Sequence, residues 1–560
     1  MKFTKFILPT IACIGIINAN AQSFDYATAL GGSTQAKVTA VAIDKDYNII
    51  VAGTFRETIV IGPNTFTFTT NTQDNVFIAK FDRASNHIWS KAYESTGSGK
   101  LNLKSMAVHS ATGNIAVTGE FSGSADFEGT IISEPNNTKS LFTALINSSG
   151  QLQWVSASNG ATSSIQLEGR AIDFDGNDII VGGYLEGGTH TMGSFTLTNP
   201  GTKGVGFVVK YNSAGTVTNA ATVITAGNES GEINSIKARN GKIYILGSMK
   251  KNDAIVGSGT TVSVTNSSRK NQFILFALES NFGASWAKTS SSNTKSKGLD
   301  LVIDTDGSIF ILCEFEENIT LTTTISLENY SKKSSFIARY NASGDIQWAA
   351  APKSSSVNAE MKLKKLALSQ NHIFASGEFF LDYVVGNSSI NTTTSVNGVI
   401  VAYNYNGNAV SASHFSSSDQ CKLDAISSKG NMLVTGGEMR ADINVPGMAT
   451  PLELIGATGS RNGFFSISNQ LNTLSVKELA QTNNYDVFPN PFNSYITIRS
   501  SENDDFKKKT ISVLDVSGKL IYQQESVGAN TNLNLEFLQA GIYFIKIGDN
   551  SETIKKIIKQ

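Results

Sequence analysis

The chain has 560 residues, more than one hydrophobic core usually organises, which predicts two or more domains. Only 16% of the residues are charged and the net charge is −1, which excludes nucleic acid as a partner because phosphate binding needs a basic excess. Hydrophobic residues make up 40% of the chain and there are 49 glycines, so the composition argues against disorder and favours an all-β fold.

The first 21 residues have the pattern of a signal peptide. A basic start precedes an apolar run over residues 6–17, and Ala19-Asn20-Ala21 supplies the small residues that signal peptidase reads. We therefore predict cleavage between Ala21 and Gln22, which makes the protein secreted. No transmembrane segment is expected, because no apolar run reaches the length of about 20 residues that a membrane span needs.

The three cysteines bear on processing and on stability. Lipidation of Cys13 is an alternative to the cleavage above, but it would leave Ile14, Ile16 and Ile17 on the mature N-terminus. Cys313 and Cys421 are too few and too far apart for a disulfide framework. We expect both to be small buried residues, with stability coming from packing.

A short pattern recurs seven times along the chain. An apolar strand ends in glycine, followed by a small or acidic residue and usually an aromatic one, as in Val117-Thr118-Gly119-Glu120-Phe121. The anchor positions are 53, 119, 183, 247, 313, 377 and 437, with Cys313 in place of glycine in the fifth copy. Successive anchors are 60 to 66 residues apart. A repeat of this length predicts a repeated structural unit.

A second pattern completes each unit. An apolar strand such as Phe336-Ile337-Ala338-Arg339-Tyr340-Asn341 is followed by a Ser-Gly turn and by a strand that carries tryptophan. All four tryptophans occupy this position: Trp89, Trp154, Trp286 and Trp348. We interpret them as wedges that pack one sheet onto the next. With tight turns such as Asp175-Gly176, each unit supplies four strands.

Seven four-stranded units predict a seven-bladed β-propeller over residues 22–471, with an open β-solenoid as the alternative. The chain ends distinguish the two folds. The last unit stops after its third strand, 464–468, while residues 24–30 resemble the missing fourth strand. Pairing of Tyr26 and its neighbours with the last unit would close the ring and remove two exposed edges.

These repeats resemble bacterial β-propeller repeats of the SBBP type over about residues 23–472. The residues that carry the resemblance are the Val-x-Gly-x-Phe strand, the Phe-Ile-Ala-Lys-Phe/Tyr-Asp strand and the Ser-Gly-x-x-x-Trp turn. The resemblance implies the fold and leaves the function open.

The repeat pattern ends after Ser468, and residues 472–484 are polar and predict a linker. Short alternating strands over 485–560 predict a small Ig-like β-sandwich. The Phe-Pro-Asn-Pro entry, the Asp-Val-Ser-Gly-Lys turn, the Ala-Gly-Ile-Tyr-Phe-Ile-Lys strand and the lysine-rich last strand appear in this order. Together they resemble the type A C-terminal sorting domain of the type IX secretion system of the Bacteroidota.

This resemblance implies periplasmic transit and recognition by the type IX translocon. It also implies cleavage in the linker by sortase-like processing machinery, with the product at the outer-membrane surface or outside the cell. The sorting-motif residues are Phe488, Pro489, Asn490, Pro491, Gly518, Lys519, Gly541, Tyr543, Lys546, Lys555 and Lys556. Lys555, Lys556 and Lys559 form either a docking surface or the protective charges of an edge strand.

The sequence offers little evidence of catalysis. The five histidines are scattered over different repeats, and His-Glu-x-x-His, Cys-x-x-Cys and nucleophile-elbow motifs do not occur. Asp-rich turns such as Asp304-Thr305-Asp306-Gly307 fit hairpin turns better than calcium loops. Sialidase and quinoprotein propellers match only locally. We expect Glu120, Glu314, Glu378 and Glu438, which follow the anchors, to make structural hydrogen bonds. No catalytic residue, metal or cofactor is predicted.

We therefore predict a non-enzymatic, adhesin-like binding scaffold on the cell surface, with a glycan or an extracellular protein as its ligand. The long polar inserts after the second strand of each unit, such as 56–75 and 252–271, form either a binding surface or extra hairpins that extend the blades. The alternative function is a secreted propeller hydrolase or lyase that acts on polysaccharide. Two or three carboxylates converging at the ring axis would favour that enzyme.

Overall fold

The computed structural model describes residues 22–32, 34–68, 73–134, 138–160, 166–199, 201–226, 229–250, 253–265, 270–290, 294–329, 331, 333–392, 395–455, 460–469, 485–500, 510–515, 520–525, 530–547 and 553–560. These residues form strands and turns with no helix, which confirms the all-β class. The chain divides into two compact units, Met1–Thr473 and Leu474–Gln560. The predicted linker 472–484 lies outside the described residues, as do residues 1–21.

Unit 1 is built from seven groups of four antiparallel strands, numbered here as sheets 1 to 7. From first to fourth strand, sheet 1 comprises Gln35–Ile43, Ile49–Arg56, Asn75–Phe81 and the start of His87–Val108, and sheet 2 comprises the end of His87–Val108, Ile115–Phe127, Ser140–Ile146 and Leu152–Ala157. Sheet 3 comprises Gln166–Asp175, Asp178–Glu186, Val205–Tyr211 and Val217–Thr225. Sheet 4 comprises Gly231–Arg239, Lys242–Met249, Gln272–Glu279 and Ala284–Lys288.

Sheet 5 comprises Ser296–Ile303, Ile309–Phe315, Ser334–Tyr340 and Ile346–Ala350. Sheet 6 comprises Glu360–Leu368, His372–Phe380, Asn397–Asn404 and Ala409–Ser417. Sheet 7 comprises Cys421–Lys429, Met432–Met439, Asn462–Ser468 and, as its fourth strand, Tyr26–Leu30. Short strands between or beside them are Thr58–Ile61, Asn64–Thr67, Thr130–Glu134, Asn159–Gly160, Thr189–Met192, Phe195–Thr198, Ala254–Val256, Val262–Val264, Ile319–Thr320, Ser326–Leu327, Tyr383–Val385, Ser388–Ile390 and Ile443–Asn444.

The recurring glycine of each repeat is explained by a β-bulge. The first strand of every sheet has a register shift opposite the anchor, for example between Val38 and Ala40. The bulge brings a main-chain carbonyl against the anchor, so that a Cβ on Gly53 would lie 1.9 Å from the carbonyl oxygen of Lys37. Gly119, Gly183, Gly247, Gly377 and Gly437 face equivalent carbonyls at 1.8 to 2.1 Å. Glycine is therefore selected by close backbone approach.

Seven hydrophobic cores hold the sheets together, each between two consecutive sheets. The third strands Asn75–Phe81 and Ser140–Ile146 are buried at every position, because neighbouring sheets cover both of their faces. The last core joins Val434 and Phe465 of sheet 7 to Val51 and Phe77 of sheet 1. The order of packing therefore returns from the last sheet to the first.

The N-terminal strand completes the last sheet, as the sequence predicts. Tyr26–Leu30 pairs antiparallel with Asn462–Ser468 over five positions, from Tyr26 opposite Ile467 to Leu30 opposite Gly463. Leu30 is fully buried in the core between sheets 7 and 1. Cys313 and Cys421 are both buried and unbridged, as expected.

Unit 2 has two sheets that enclose one core. The three-stranded sheet is ordered Tyr485–Phe488, Tyr495–Ser500 and Asn530–Asn534. The four-stranded sheet is ordered Leu520–Glu525, Thr510–Leu514, Gly541–Ile547 and Thr553–Lys559. Ile496 and Ile498 of the first sheet pack with Ile511, Val513 and Ile545 of the second.

Candidate functional site

A polar cavity lies where the first strands of all seven sheets meet. Its volume is about 400 Å³, and residues of every first strand line it, from 39–43 in sheet 1 to 425–428 in sheet 7. The charged side chains of its lining include Asp173, Lys237, Asp300 and Lys365. The cavity is therefore the place where an axial ligand or substrate could bind.

The two carboxylates of the cavity are engaged by lysines. Asp173 lies 3.5 Å from Nζ of Lys237, and Asp300 lies 3.4 Å from Nζ of Lys365. Attraction to Asp173 and, more weakly, to Asp300 raises the pKa of Lys237 even though burial opposes it.

Main-chain and hydroxyl donors also hold these carboxylates. Asp173 accepts the N–H of Ala238 at 2.9 Å, while Asp300 accepts the N–H of Leu366 at 2.9 Å and the hydroxyl of Ser235 at 2.8 Å. Each carboxylate thus ties its own strand to a neighbouring sheet. This arrangement differs from the free acid and base pair of a glycoside hydrolase.

The glutamates that follow the anchors join a belt of ion pairs at the bulges of the first strands. Glu120 contacts Lys104 at 3.1 Å and Lys139 at 3.3 Å. Glu378 contacts Lys364 at 3.0 Å, and Glu438 contacts Lys422 at 3.5 Å. Glu314 contacts Lys333 at 3.5 Å. Each of the four glutamates therefore pairs with a lysine, which agrees with the structural role expected of them.

Several links of the belt cross between sheets. Arg170 of sheet 3 binds Glu232 of sheet 4 at 2.6 Å, and Lys364 of sheet 6 binds Asp424 of sheet 7 at 2.7 Å. Burial disfavours the charged form of Glu232, but Lys297 and Arg170 outweigh it and lower the pKa of Glu232 to about 2. The belt is a fastening between sheets.

The tryptophans fasten the sheets at the opposite ends of the strands. Trp154 of sheet 2 packs on Gly215 in the next sheet's turn, where a Cβ would lie 2.6 Å from the indole ring. Its Nε1–H donates to the carbonyl of Ser213 at 3.0 Å. Trp89, Trp286 and Trp348 stack on Gly150, Gly344 and Gly407 in the same way. This confirms that they pack one sheet onto the next.

The inserts after the second strands form short hairpins that pair with the preceding sheet. Val60 donates its N–H to the carbonyl of Gly31 at 2.8 Å, and Val384 exchanges main-chain hydrogen bonds with Lys353 at 2.7 and 3.1 Å. Ile224 of sheet 3 pairs with Val256 of the next insert. The described insert residues therefore extend the sheets as extra hairpins, and they leave side chains such as Ile255 and Val384 exposed.

In unit 2, the Pro-Asn-Pro segment closes the outer edge of the last strand. The Asn490 side chain donates to the carbonyl of Lys556 at 2.8 Å and accepts the N–H of Ile558 at 2.9 Å. The main chain of Phe492 donates to Ile558 at 2.9 Å and accepts from Gln560 at 2.9 Å. These contacts satisfy donors and acceptors that an edge strand would leave open.

The other sorting-motif residues are divided among edge, core and surface. The Tyr543 side chain packs against the core, and its hydroxyl donates to the carbonyl of Gln539 at 3.1 Å. Gly541 begins its strand opposite Lys559, and Lys546, Lys555 and Lys556 lie on the last two strands. Phe488 is 41% exposed, with the Arg499 guanidinium 5.1 Å from its ring centroid. Pro489 and Pro491 flank Asn490. Ala21, Gly518 and Lys519 lie outside the described residues.

Gln22, the predicted mature N-terminus, is buried against the last sheets. Its side chain donates to Oγ of Ser468 at 2.7 Å, and its carbonyl accepts the hydroxyl of Ser413 at 3.1 Å. Among the described residues, no His, Cys, Asp and Glu gather in threes or more as a metal site would require. No helix long and apolar enough to cross a membrane occurs in the same part of the chain.

Comparison with protein families identifies unit 2. Residues 486–560 match the secretion system C-terminal sorting domain family. The chain carries a sorting domain. This domain indicates export by the type IX secretion system and a location at the cell surface or outside the cell. No curated protein matches the chain.

Solved structures give only distant similarity. A protein of unknown function from Dyadobacter fermentans is 8% identical, with 80% of this chain and 99% of that chain covered and a TM-score of 0.34. PorZ, a surface component of the type IX secretion system of Porphyromonas gingivalis, is 9% identical, with coverages of 95% and 100% and a TM-score of 0.16. The phage phi92 endosialidase is 9% identical, with coverages of 96% and 87% and a TM-score of 0.34.

Sequence reasoning missed the basic partners of the belt and of the cavity. Lys104, Arg170 and Lys364 occupy the bulged position of their strands, where other sheets have Thr39, Asn234 or Asp424. The residue type at this position varies from sheet to sheet, so no recurring residue in the sequence predicts these partners. Their position could have identified them, since each lies 13 to 15 residues before a recurring glycine.

Proposed function

We propose that this chain is a surface binding protein of a type IX-secreting member of the Bacteroidota. Its signal peptide, residues 1–21, is removed between Ala21 and Gln22. A seven-bladed β-propeller of SBBP-type repeats, closed by Tyr26–Leu30, forms the passenger, and a small Ig-like sandwich follows as the sorting domain. The translocon exports the protein, and sortase-like machinery cleaves the 472–484 linker. The sorting domain at 486–560 is the observation that carries the proposal.

The ring architecture draws its support from three features of unit 1. Seven cores join consecutive sheets and one of them joins the last sheet to the first. All seven first strands line a single cavity. The N-terminal strand completes the last sheet. A straight stack of rungs would leave its two terminal sheets apart.

We propose a binding role without catalysis for the propeller. The carboxylates that line the cavity, Asp173 and Asp300, are both held by lysines and by main-chain donors. A hydrolase needs a carboxylic acid and a carboxylate free to act on the scissile bond. The ligand class is a glycan or an extracellular protein, bound on the face formed by the insert hairpins.

The test uses the purified full chain on arrays of glycans and matrix proteins. We expect saturable binding to one class, lost when the exposed polar side chains of two insert hairpins are replaced by alanine, which keeps their buried residues and leaves the unfolding midpoint unchanged. Binding that survives these substitutions would place the site elsewhere. Release of reducing ends from a polysaccharide, abolished by Asp173→Asn, would overturn the non-enzymatic proposal in favour of a hydrolase or lyase.

A further inference from the structure

The two outward faces of the sorting domain differ in chemistry. On the three-stranded sheet, polar side chains satisfy one another: Arg499 pairs with Asp486 at 2.9 Å, and Thr497 donates to Asn532 at 2.7 Å. These groups make their contacts within the sheet. This face is therefore mainly polar, and it also carries two exposed aromatic rings, those of Phe488 and Tyr495.

The outward face of the four-stranded sheet is apolar at one end. Val513, Ile545 and Ile557 point into the core, so their alternate neighbours point outward. Leu514 pairs with Phe544 and Ile542 with Ile558, and directly paired residues share a face. None of these four belongs to the core.

A fifth residue, Leu520, pairs with Leu514 and extends the same surface to the outer strand. Ile542 is 42% exposed and Leu520 is 49% exposed. We name Leu514, Leu520, Ile542, Phe544 and Ile558 the apolar face. An exposed cluster of this kind on a small domain usually marks an interaction site.

Lysines border the apolar face. Lys556 is exposed and pairs with Phe544, and Lys546 lies two residues further along the same strand as Phe544. Among the described residues neither lysine makes an ion pair within the domain. Among the outward positions of the described strands of this sheet, the acidic residue is Glu525, and it lies at the opposite end of the sheet from Ile542. The face therefore complements a partner that is apolar with acidic borders.

The edge of the last strand is closed to strand addition. Asn490 and Phe492 occupy the main-chain groups of residues 556–560 that an added strand would need. A partner that reads the last strand must therefore contact its side chains, and the outward ones belong to the apolar face and its lysine border.

We infer that the apolar face is the docking surface through which the type IX export machinery recognises this domain. The partner surface presents an apolar patch bordered by carboxylates. This inference rests on the proposed export function.

The test follows export of the full chain in a type IX-secreting host, comparing protein at the surface and in the medium with protein retained in the periplasm. We expect Ile542→Ser/Ile558→Ser to lower export about tenfold or more, as loss of central interface residues does. Lys546→Glu/Lys556→Glu should lower export more than Lys546→Gln/Lys556→Gln, because it places repulsion where attraction was. Tyr495→Ser, on the polar face, is the matched control and should be exported normally.

The outcomes separate this inference from the proposal on which it rests. Normal export after deletion of residues 485–560 overturns the export function itself. Retention of that deletion variant together with normal export of the face variants overturns only the docking surface. Loss of protease resistance in residues 485–560 identifies misfolded serine variants, and the lysine variants then decide. Equal export of the glutamate and glutamine variants would contradict the inference that carboxylates border the partner surface. Conversion of a wild-type dimer to a monomer by the serine variants would assign the face to a second copy of the chain.

Discussion

The two units of the molecule close a sheet edge in different ways. In unit 1, a complete strand from the N-terminal end of the sequence, Tyr26–Leu30, covers the last sheet over five residues. In the sorting domain, the side chain of Asn490 and the main chain of Phe492, with two hydrogen bonds each, cover the last strand. Both arrangements remove an edge that could pair with another chain.

The difference lies in how much apolar surface accompanies the hydrogen bonds. Leu30 and Phe24 are both buried, so the N-terminal segment adds apolar side chains to the two cores that join sheet 7 to sheets 1 and 6. Asn490 contributes polar contacts alone, each worth about 1 kcal/mol net. Phe492 is itself buried in the core of the sorting domain, so the weaker part of that closure is the side chain of Asn490.

The largest effect should follow removal of the borrowed strand. Deletion of residues 22–30 exposes the Asn462–Ser468 edge and takes Leu30 and Phe24 from two cores. We expect a loss of about 5 kcal/mol or more from the free energy of unfolding, enough to leave much of unit 1 unfolded or aggregated. Chemical denaturation and light scattering measure this.

A deletion at the other end of the chain is the control. Removal of residues 553–560 should leave the denaturation midpoint of unit 1 unchanged, because that strand belongs to the sorting domain. If unit 1 without residues 22–30 were a stable monomer, the strand Tyr26–Leu30 would pair with the last sheet without being needed to hold unit 1 together.

A smaller effect should follow loss of one tryptophan wedge. Trp154→Ala removes the indole from Gly215 and the hydrogen bond to Ser213, at an expected cost of about 3 kcal/mol in the free energy of unfolding. Gly215→Ala should also destabilise, because Gly215 has φ +80° and its Cβ would meet the indole. The steric part of that cost should disappear in the double variant, and additivity of the two losses would contradict the contact.

The ion-pair belt should contribute less, and its contribution should depend on pH. Glu232→Gln removes the carboxylate that Arg170 and Lys297 share, while Arg170 keeps Glu168 at 3.0 Å, at an expected cost of about 2 kcal/mol at neutral pH. The pKa of Glu232 in the folded protein is about 2, below its ordinary value of 4.5. Its stabilisation is therefore present above 4.5 and is lost as the pH falls towards 2.

The measurement is the difference in unfolding free energy between wild type and Glu232→Gln at several pH values. The difference should shrink steadily between pH 4.5 and pH 2. Glu279→Gln is the matched control, since Glu279 pairs with Lys242 at the surface, and it should change nothing measurable. A difference that does not vary with pH would show that the carboxylate acts by shape alone.

The sequence predicts unit 1 well where a physical constraint repeats. The anchor glycines recur because a carbonyl approaches each of them, and the tryptophans recur because each covers a glycine of the next turn. The pairing of Tyr26–Leu30 with the last sheet follows from one missing strand. Constraints set by backbone contact leave the same residue type in most copies, with glycine at six of the seven anchors and tryptophan in four of the seven units.

The sequence predicts few of the ion pairs between residues that are far apart in the chain and close together in the fold. Asp173 and Lys237 are 64 residues apart and Asp300 and Lys365 are 65 apart, each pair on the first strands of neighbouring sheets. Other sheets carry Ala42, Val302 or Ser427 near these positions, so the charges form no repeat. The apolar face of the sorting domain escaped notice because alternation alone does not say which face of a sandwich strand is covered.

The smallest effect should follow loss of the Asn490 lock. Asn490→Ala removes one donor and one acceptor from the outer edge of the last strand, at an expected cost of about 1 kcal/mol because water replaces both contacts. Hydrogen exchange should report it as faster exchange of the Ile558 amide, whose acceptor in the folded domain is Oδ1 of Asn490. Asn490→Asp keeps this acceptor and should keep the amide slow, while it loses the donor to Lys556. Asn532→Ala, which removes a surface contact to Thr497, should not change the exchange of Ile558. Equal protection of the Ile558 amide in Asn490→Ala and in wild type would mean that the main chain of Phe492 alone closes the edge. The last strand of the sorting domain would then be covered by main-chain contacts, as the last sheet of unit 1 is.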